Sequence, residues 1–215
     1  METAGRVVWQ QRDREILAAL TRCVRLLTSA QAGRAWWPNL SDPDRAAERR
    51  LRALTATGFL RAIRLIAHPE IPLIDPVLAW KPGRPTPHFG SVSYQLRRRW
   101  TQPIRPTTAF IASPVAARTF GGRAAGLRRP LQATHDLHVT TMYLLFLRDR
   151  PELASGWRSE DVLASTRRNQ KLPDAIVMDG DRPQLVVEFG GAYDPGRVEK
   201  VHADCATRRL PYELW

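Results

Sequence analysis

Two carboxylates near the end of the sequence have the spacing of a metal site. Asp174 follows Pro173 and opens the apolar run Ala175-Ile176-Val177-Met178. Glu188 lies in a second run, Leu185-Val186-Val187-Glu188-Phe189, which Gly190-Gly191 closes. The Asp179-Gly180-Asp181 segment between the runs predicts a hairpin. In an antiparallel pair, a residue opening one strand approaches a residue near the end of its partner. Asp174, Glu188 and the backbone carbonyl of Phe189 would then form a hard oxygen site suited to magnesium. Such an ion activates water and stabilises charge on a phosphodiester. Both acids also suit a plainer role: Asp after Pro caps an Asx-turn, and a carboxylate before Gly-Gly caps a turn.

The flanking elements must hold these residues. Thr134 to Arg148 reads as a helix through Leu137, Met142, Leu144, Leu145 and Leu147. His135 and His138 lie on its first turns; without further ligands at matching spacing, packing or capping is the expected role. A helix from about Gly196 to Arg208 and a final strand, Leu210 to Trp215, follow the hairpin. Cys23 and Cys205 are too few and too far apart for a disulfide framework or zinc cluster.

The N-terminal third reads differently. Ile16, Leu17, Leu20, Val24 and Leu27 have helical spacing. Thr28 or Ser29 can cap a short second helix that stops before Pro38. Ser41-Asp42-Pro43-Asp44 starts a third, with Pro at the first helical position. Its apolar stripe is Ala47, Leu51 and Leu54, and Gly58 ends it. Arg45, Arg49 and Arg52 fall on another side with Arg50 beside them, as a major-groove reader requires. Phe59 to Ile66 predicts a strand, His68 to Asp75 a loop, and Val77 to Trp80 a second strand. Three helices followed by strand, loop and strand is the order of a winged helix-turn-helix.

Charge follows the same division. The chain of 215 residues carries a net +12, with 30 Arg and 3 Lys. Residues 1–130 hold 22 basic and 8 acidic side chains; residues 131–215 hold 11 and 13. A basic half is drawn to a polyanion, of which nucleic acid is the usual one. Composition places a winged helix-turn-helix in 1–85, a Pro/Gly/Arg-rich connecting segment in 86–130, and a small α/β domain in 131–215. The Arg97-Arg98-Arg99 run in the connection could line a DNA path or be a solvated face.

Pro173-Asp174 with Glu188-Phe189-Gly190 resembles the PD-(D/E)XK nuclease superfamily. The whole chain resembles the replication-relaxation family of bacterial and mobile-element proteins, with its sharpest parts at Leu51 to Leu60, Thr134-His135, Pro173-Asp174 and Glu188. The resemblance implies an α+β protein with a restriction-endonuclease-like second domain. It implies catalytic Asp174 and Glu188, which would hold magnesium if the site is active. The pattern places a lysine two residues after the Glu, and Gly190 stands there. Lys200 on the next helix is the candidate replacement, with Arg197 the other.

The expected function is therefore DNA binding through Arg45, Arg49, Arg50 and Arg52, in a regulator or accessory factor of replication or mobilisation of a mobile element. Gly190 favours an inactive nuclease-like fold. The alternative is a magnesium-dependent DNA endonuclease with Lys200 as the relocated lysine. DNA binding itself requires no cofactor. Candidate partners are double-stranded DNA, replication or conjugation proteins, and a second copy of the chain. Met1 to Gln10 lacks a signal-peptide pattern and no apolar run is long enough for a membrane span, so a cytoplasmic, membrane-free protein is expected.

Overall fold

In the computed structural model, which describes residues 8–124, 132–164 and 172–215, the apolar stripe Ile16, Leu17 and Leu20 is buried on helix α1 (Gln11–Arg22). Helix α2 (Ser29–Trp36) starts in a reciprocal capping box: Thr28 Oγ1 accepts from the Gln31 N–H, and Gln31 Oε1 accepts from the Thr28 N–H. Gln31 is fully buried, and its amide also donates to the Leu137 carbonyl at 2.7 Å and to Thr141 Oγ1 at 3.0 Å, both on α6 (Ala133–Asp149). Removing it strands several polar groups in the core. Gln31→Ala is expected to lower stability by about 2 kcal/mol in urea unfolding; a change below about 0.5 kcal/mol would mean that water replaces the amide.

Helix α3 (Pro43–Ala56) begins at Asp42, whose carboxylate accepts from the Arg45 N–H at 3.0 Å, and buries Ala47, Leu51 and Leu54. It lies so close to α2 that a Cβ at Gly33 would stand 2.8 Å from the Pro43 carbonyl. Gly58, at φ 82°, turns the chain into strand β1 (Leu60–Ala67).

The partner of β1 differs from the expectation. Strand β2 (Leu78–Trp80) does not pair with it. Strand β3 (Arg105–Ala112) does, antiparallel over its full length, from Leu60↔Ala112 to Ala67↔Arg105. Packing explains the choice. Strand β3 ends in four consecutive buried residues, Ala109 to Ala112, and Ala109 and Ile111 share a core with Leu26, Leu65 and Leu137. Helix α5 (Pro114–Phe120), capped by Ser113, follows.

Strands β4 (Trp157–Ser159), β5 (Ala175–Asp179), β6 (Arg182–Glu188) and β7 (Tyr212–Leu214) join β2 in a second sheet, accompanied by helices α4 (Phe89–Arg97), α7 (Pro151–Ser155), α8 (Glu160–Leu163) and α9 (Pro195–Thr207). Its order is β2-β7-β6-β5-β4. Strands β4, β5 and β6 form an antiparallel meander; α9 then carries the chain to β7, which runs parallel to β6. One face of the sheet packs Ile176, Val186, Tyr212 and Leu214 against Val92 and Leu96 of α4 and Val198 and Val201 of α9. On β7, Glu213 receives both arms of Arg150, at 2.6 and 2.8 Å.

The chain therefore divides into two units, each built from two separate stretches. One comprises Met1–His68 and Ile104–Leu144; the other comprises Pro69–Pro103 and Leu145–Trp215. The contiguous division at 85 and 130 is not the one the contacts make, because β2 and α4 belong with the C-terminal sheet. The architecture is mixed α+β, and among the described residues no helix is long and apolar enough to cross a membrane.

Candidate nucleic-acid interface and carboxylate pair

The burial of Ala47, Leu51 and Leu54 turns the opposite side of α3 to solvent. Arg45 and Arg49 are exposed there, and neither side chain has a hydrogen bond or ion pair among the described residues. Arg52 is also exposed and is held by Glu48 one turn earlier, at 2.7 Å. That surface pair contributes only a few tenths of a kcal/mol, so a phosphate can displace Glu48. On the adjoining ribbon, Arg61, Arg64 and Arg105 are exposed. A cleft of about 570 Å³ beside α3 is lined by Arg12, Trp36, Trp37, Arg49 and Arg50 among others. The Arg12 guanidinium lies over the Trp37 ring at 5.0 Å.

Arg50 has a different environment. It binds the Asp13 carboxylate with two nitrogens, Nε at 2.7 Å and Nη2, and Nη2 also donates to the Val8 carbonyl at 2.6 Å. Hydrogen bonding to Asp13 raises its already high pKa. Asp13 is wholly buried and also accepts from the Gln10 N–H at 2.7 Å. Arg50 thus ties α3 to the start of α1. The pattern held a signal for this: Asp13 lies on the same face as Ile16, Leu17 and Leu20, and a buried carboxylate requires a cation.

Charge concentrates in the same unit. Met1–His68 with Ile104–Leu144 holds 17 basic and 7 acidic side chains, a net of +10. The other unit holds 16 and 14, a net of +2.

In that second unit the hairpin register brings the two carboxylates together. The ladder runs to Ala175↔Val187, so Asp174 and Glu188 flank its last pair. Asp174 Oδ2 accepts from the Phe189 N–H at 2.7 Å. Glu188 is buried, and Tyr193 Oη donates to its Oε2 at 3.3 Å. Burial and the two carboxylates push the Tyr193 phenol up and keep it protonated. Arg197, one turn into α9, lies 5.1 Å from the Tyr193 ring; hydrogen bonding to Tyr193 and attraction from Glu188 and Asp174 raise its pKa. Lys200 is exposed on the same helix, and no ion pair joins it to either carboxylate. Lys171 lies outside the described residues.

Two carboxylates are the donor number by which proteins commonly hold magnesium, with water and substrate phosphate completing the shell. Asp174 and Glu188 would be those ligands, and the ion would supply charge stabilisation to a phosphodiester. Among the described residues no group of three or more His, Cys, Asp or Glu side chains is placed to hold a metal.

No protein-family model, curated protein or solved structure matches this chain. At Gly190 a Cβ would stand 2.8 and 2.9 Å from methyls of Leu96 and Leu214, both fully buried. The position two residues after Glu188 is thus packed as core. Tyr193 escaped the sequence reading because the loop after Gly190-Gly191 has no periodicity to orient it. On α6, His138 is fully buried with Nδ1 2.6 Å from the Thr134 carbonyl, an intrahelical contact.

Proposed function

We propose that the protein binds double-stranded DNA through its first unit, as a winged helix-turn-helix in which α3 enters the major groove and β1 with β3 forms the wing. The observation that carries this reading is a set of exposed guanidinium groups without protein partners among the described residues, Arg45 and Arg49 on α3 and Arg61, Arg64 and Arg105 on the ribbon. They stand in the unit that holds most of the net charge. Phosphates neutralise such groups, and side chains in the N-terminal half of a recognition helix reach base edges. Arg52 joins them when phosphate displaces Glu48, whereas Arg50 positions the helix. The second unit is then a nuclease-like domain without the usual lysine. The role that fits both is a regulator or accessory factor of replication or mobilisation, as the likeness to the replication-relaxation family implies.

Fluorescence anisotropy with labelled duplex DNA over a salt series tests this. Replacing Arg45 and Arg49 together by Ala should weaken binding about ten-fold or more and lower the salt slope by about two. Thermal unfolding should be unchanged. Equal affinity of variant and parent for duplex would overturn the assignment.

One observation favours a second reading, DNA cleavage: Asp174 and Glu188 flank the last pair of the hairpin, and both act on Arg197. Incubation with magnesium and plasmid decides it. Cleavage lost in Glu188→Ala supports it, and an intact plasmid with the parent protein removes it.

A further inference from the structure

The second unit carries an aromatic and cationic groove that plays no part in the reading above. Helix α4 buries Val92, Ser93 and Leu96. Its other side presents Tyr94, 67% exposed, with Arg97 and Arg98 three and four residues on, both exposed. The Arg98 guanidinium lies 6.0 Å from the Tyr94 ring centre. These three, with Gly90, Ser93 and Pro195 at the start of α9, line a groove of about 470 Å³. The floor is fixed, because Ser93 Oγ donates to the Tyr193 carbonyl at 2.8 Å.

We propose that this groove binds single-stranded nucleic acid, with an unpaired base stacked on Tyr94 and its flanking phosphates on Arg97 and Arg98. Three features converge on that ligand. The volume falls in the range of small-ligand sites, roughly 300–1,000 Å³. A large exposed ring beside two cations matches a base joined to phosphate, since every base offers a π-face and every linkage a charge. The small residues Gly90, Ser93 and Pro195 leave the ring open on the groove side. A duplex cannot use the ring, because its bases are stacked on one another; an unpaired base can.

The test is anisotropy with a short labelled oligothymidylate. Tyr94→Ala should weaken binding about ten-fold, whereas Tyr94→Phe should stay within about two-fold, because stacking needs the ring and not the hydroxyl. Replacing Arg97 and Arg98 together by Ala should lower the salt slope by about 1.4. An abasic oligonucleotide of the same length should bind the parent protein as weakly as oligothymidylate binds Tyr94→Ala. The Arg45/Arg49 double variant should keep its affinity for oligothymidylate, so loss of duplex binding and loss of strand binding are separable. Unchanged binding by Tyr94→Ala overturns the proposal. Equal binding of the abasic strand, as a purely anionic site or one for an acidic peptide would give, also overturns it.

Discussion

Arg50→Ala is expected to destabilise the first unit by about 3 kcal/mol, although the residue belongs to the arginine-rich helix proposed to meet DNA. The change leaves Asp13, which is completely buried, without its bidentate partner. An uncompensated buried charge is the most damaging outcome of breaking an ion pair, about 3–5 kcal/mol. The partial exposure of Arg50, 19%, places this case near the lower figure. Arg49→Ala, one residue earlier and exposed, should change stability by less than about 0.5 kcal/mol. Guanidinium unfolding of the two variants makes the comparison. A double variant, Asp13→Leu with Arg50→Met, should recover part of the loss, since an apolar pair can replace a buried ion pair. If Arg50→Ala unfolds at the parent's midpoint, the Asp13 contact contributes nothing to stability. DNA affinity measured on Arg50→Ala alone would confuse a folding defect with a binding one.

Placing a lysine two residues after Glu188, as the nuclease pattern has it, by Gly190→Lys should fail in two ways. The protein should lose about 2–3 kcal/mol of stability, and it should gain no cleavage. The obstacle is space. Gly190 is not at positive φ, so the backbone tolerates a side chain, but its first carbon would meet Leu96 and Leu214 at 2.8 and 2.9 Å. Both leucines are fully buried members of the core, so their methyls must shift to admit even a Cβ. Gly190→Ala should already cost about 1–2 kcal/mol by the same overpacking. Thermal melting and a plasmid assay in magnesium make the test. A stable Gly190→Lys protein that cleaves DNA would show that Leu96 and Leu214 yield, and that a single residue separates binding from catalysis.

How much of this was legible follows the range of the interactions. Asp42, Pro43 and Gly58 are local signals, and the helix they bound is where they place it. The hairpin of β5 and β6 was equally local: Asp179 and Arg182 close on the two-residue turn Gly180-Asp181. The partner of β1 was not legible. Val77–Trp80 follows sooner in the sequence, and Arg105-Pro106 looks like a loop because proline cannot donate to a sheet. Proline is tolerated at the start of an edge strand, which is where Pro106 stands. Within the four arginines, periodicity separated the helix faces but could not say which guanidinium meets a carboxylate 37 residues away. At the carboxylate pair, the hairpin itself was local, and its last pair, Ala175 with Val187, sets Asp174 and Glu188 beside it. The tyrosine and arginine beside it depend on how α9 returns over the sheet, which no short motif encodes.

The interleaving of the two units sets an order on synthesis. Strand β1 cannot complete its ladder until Ala112 has been made, because Leu60 pairs with it, and the intervening stretch Pro69–Pro103 belongs to another core. That stretch waits much longer: Leu78–Trp80 finds its partner only at Tyr212–Leu214. At roughly 5–20 residues per second, this leaves β2 without its partner strand for about 7–26 s. During that interval Trp80, Val92 and Leu96 are apolar surface awaiting cover. The long separation of β2 from β7 delays completion of the second unit's sheet.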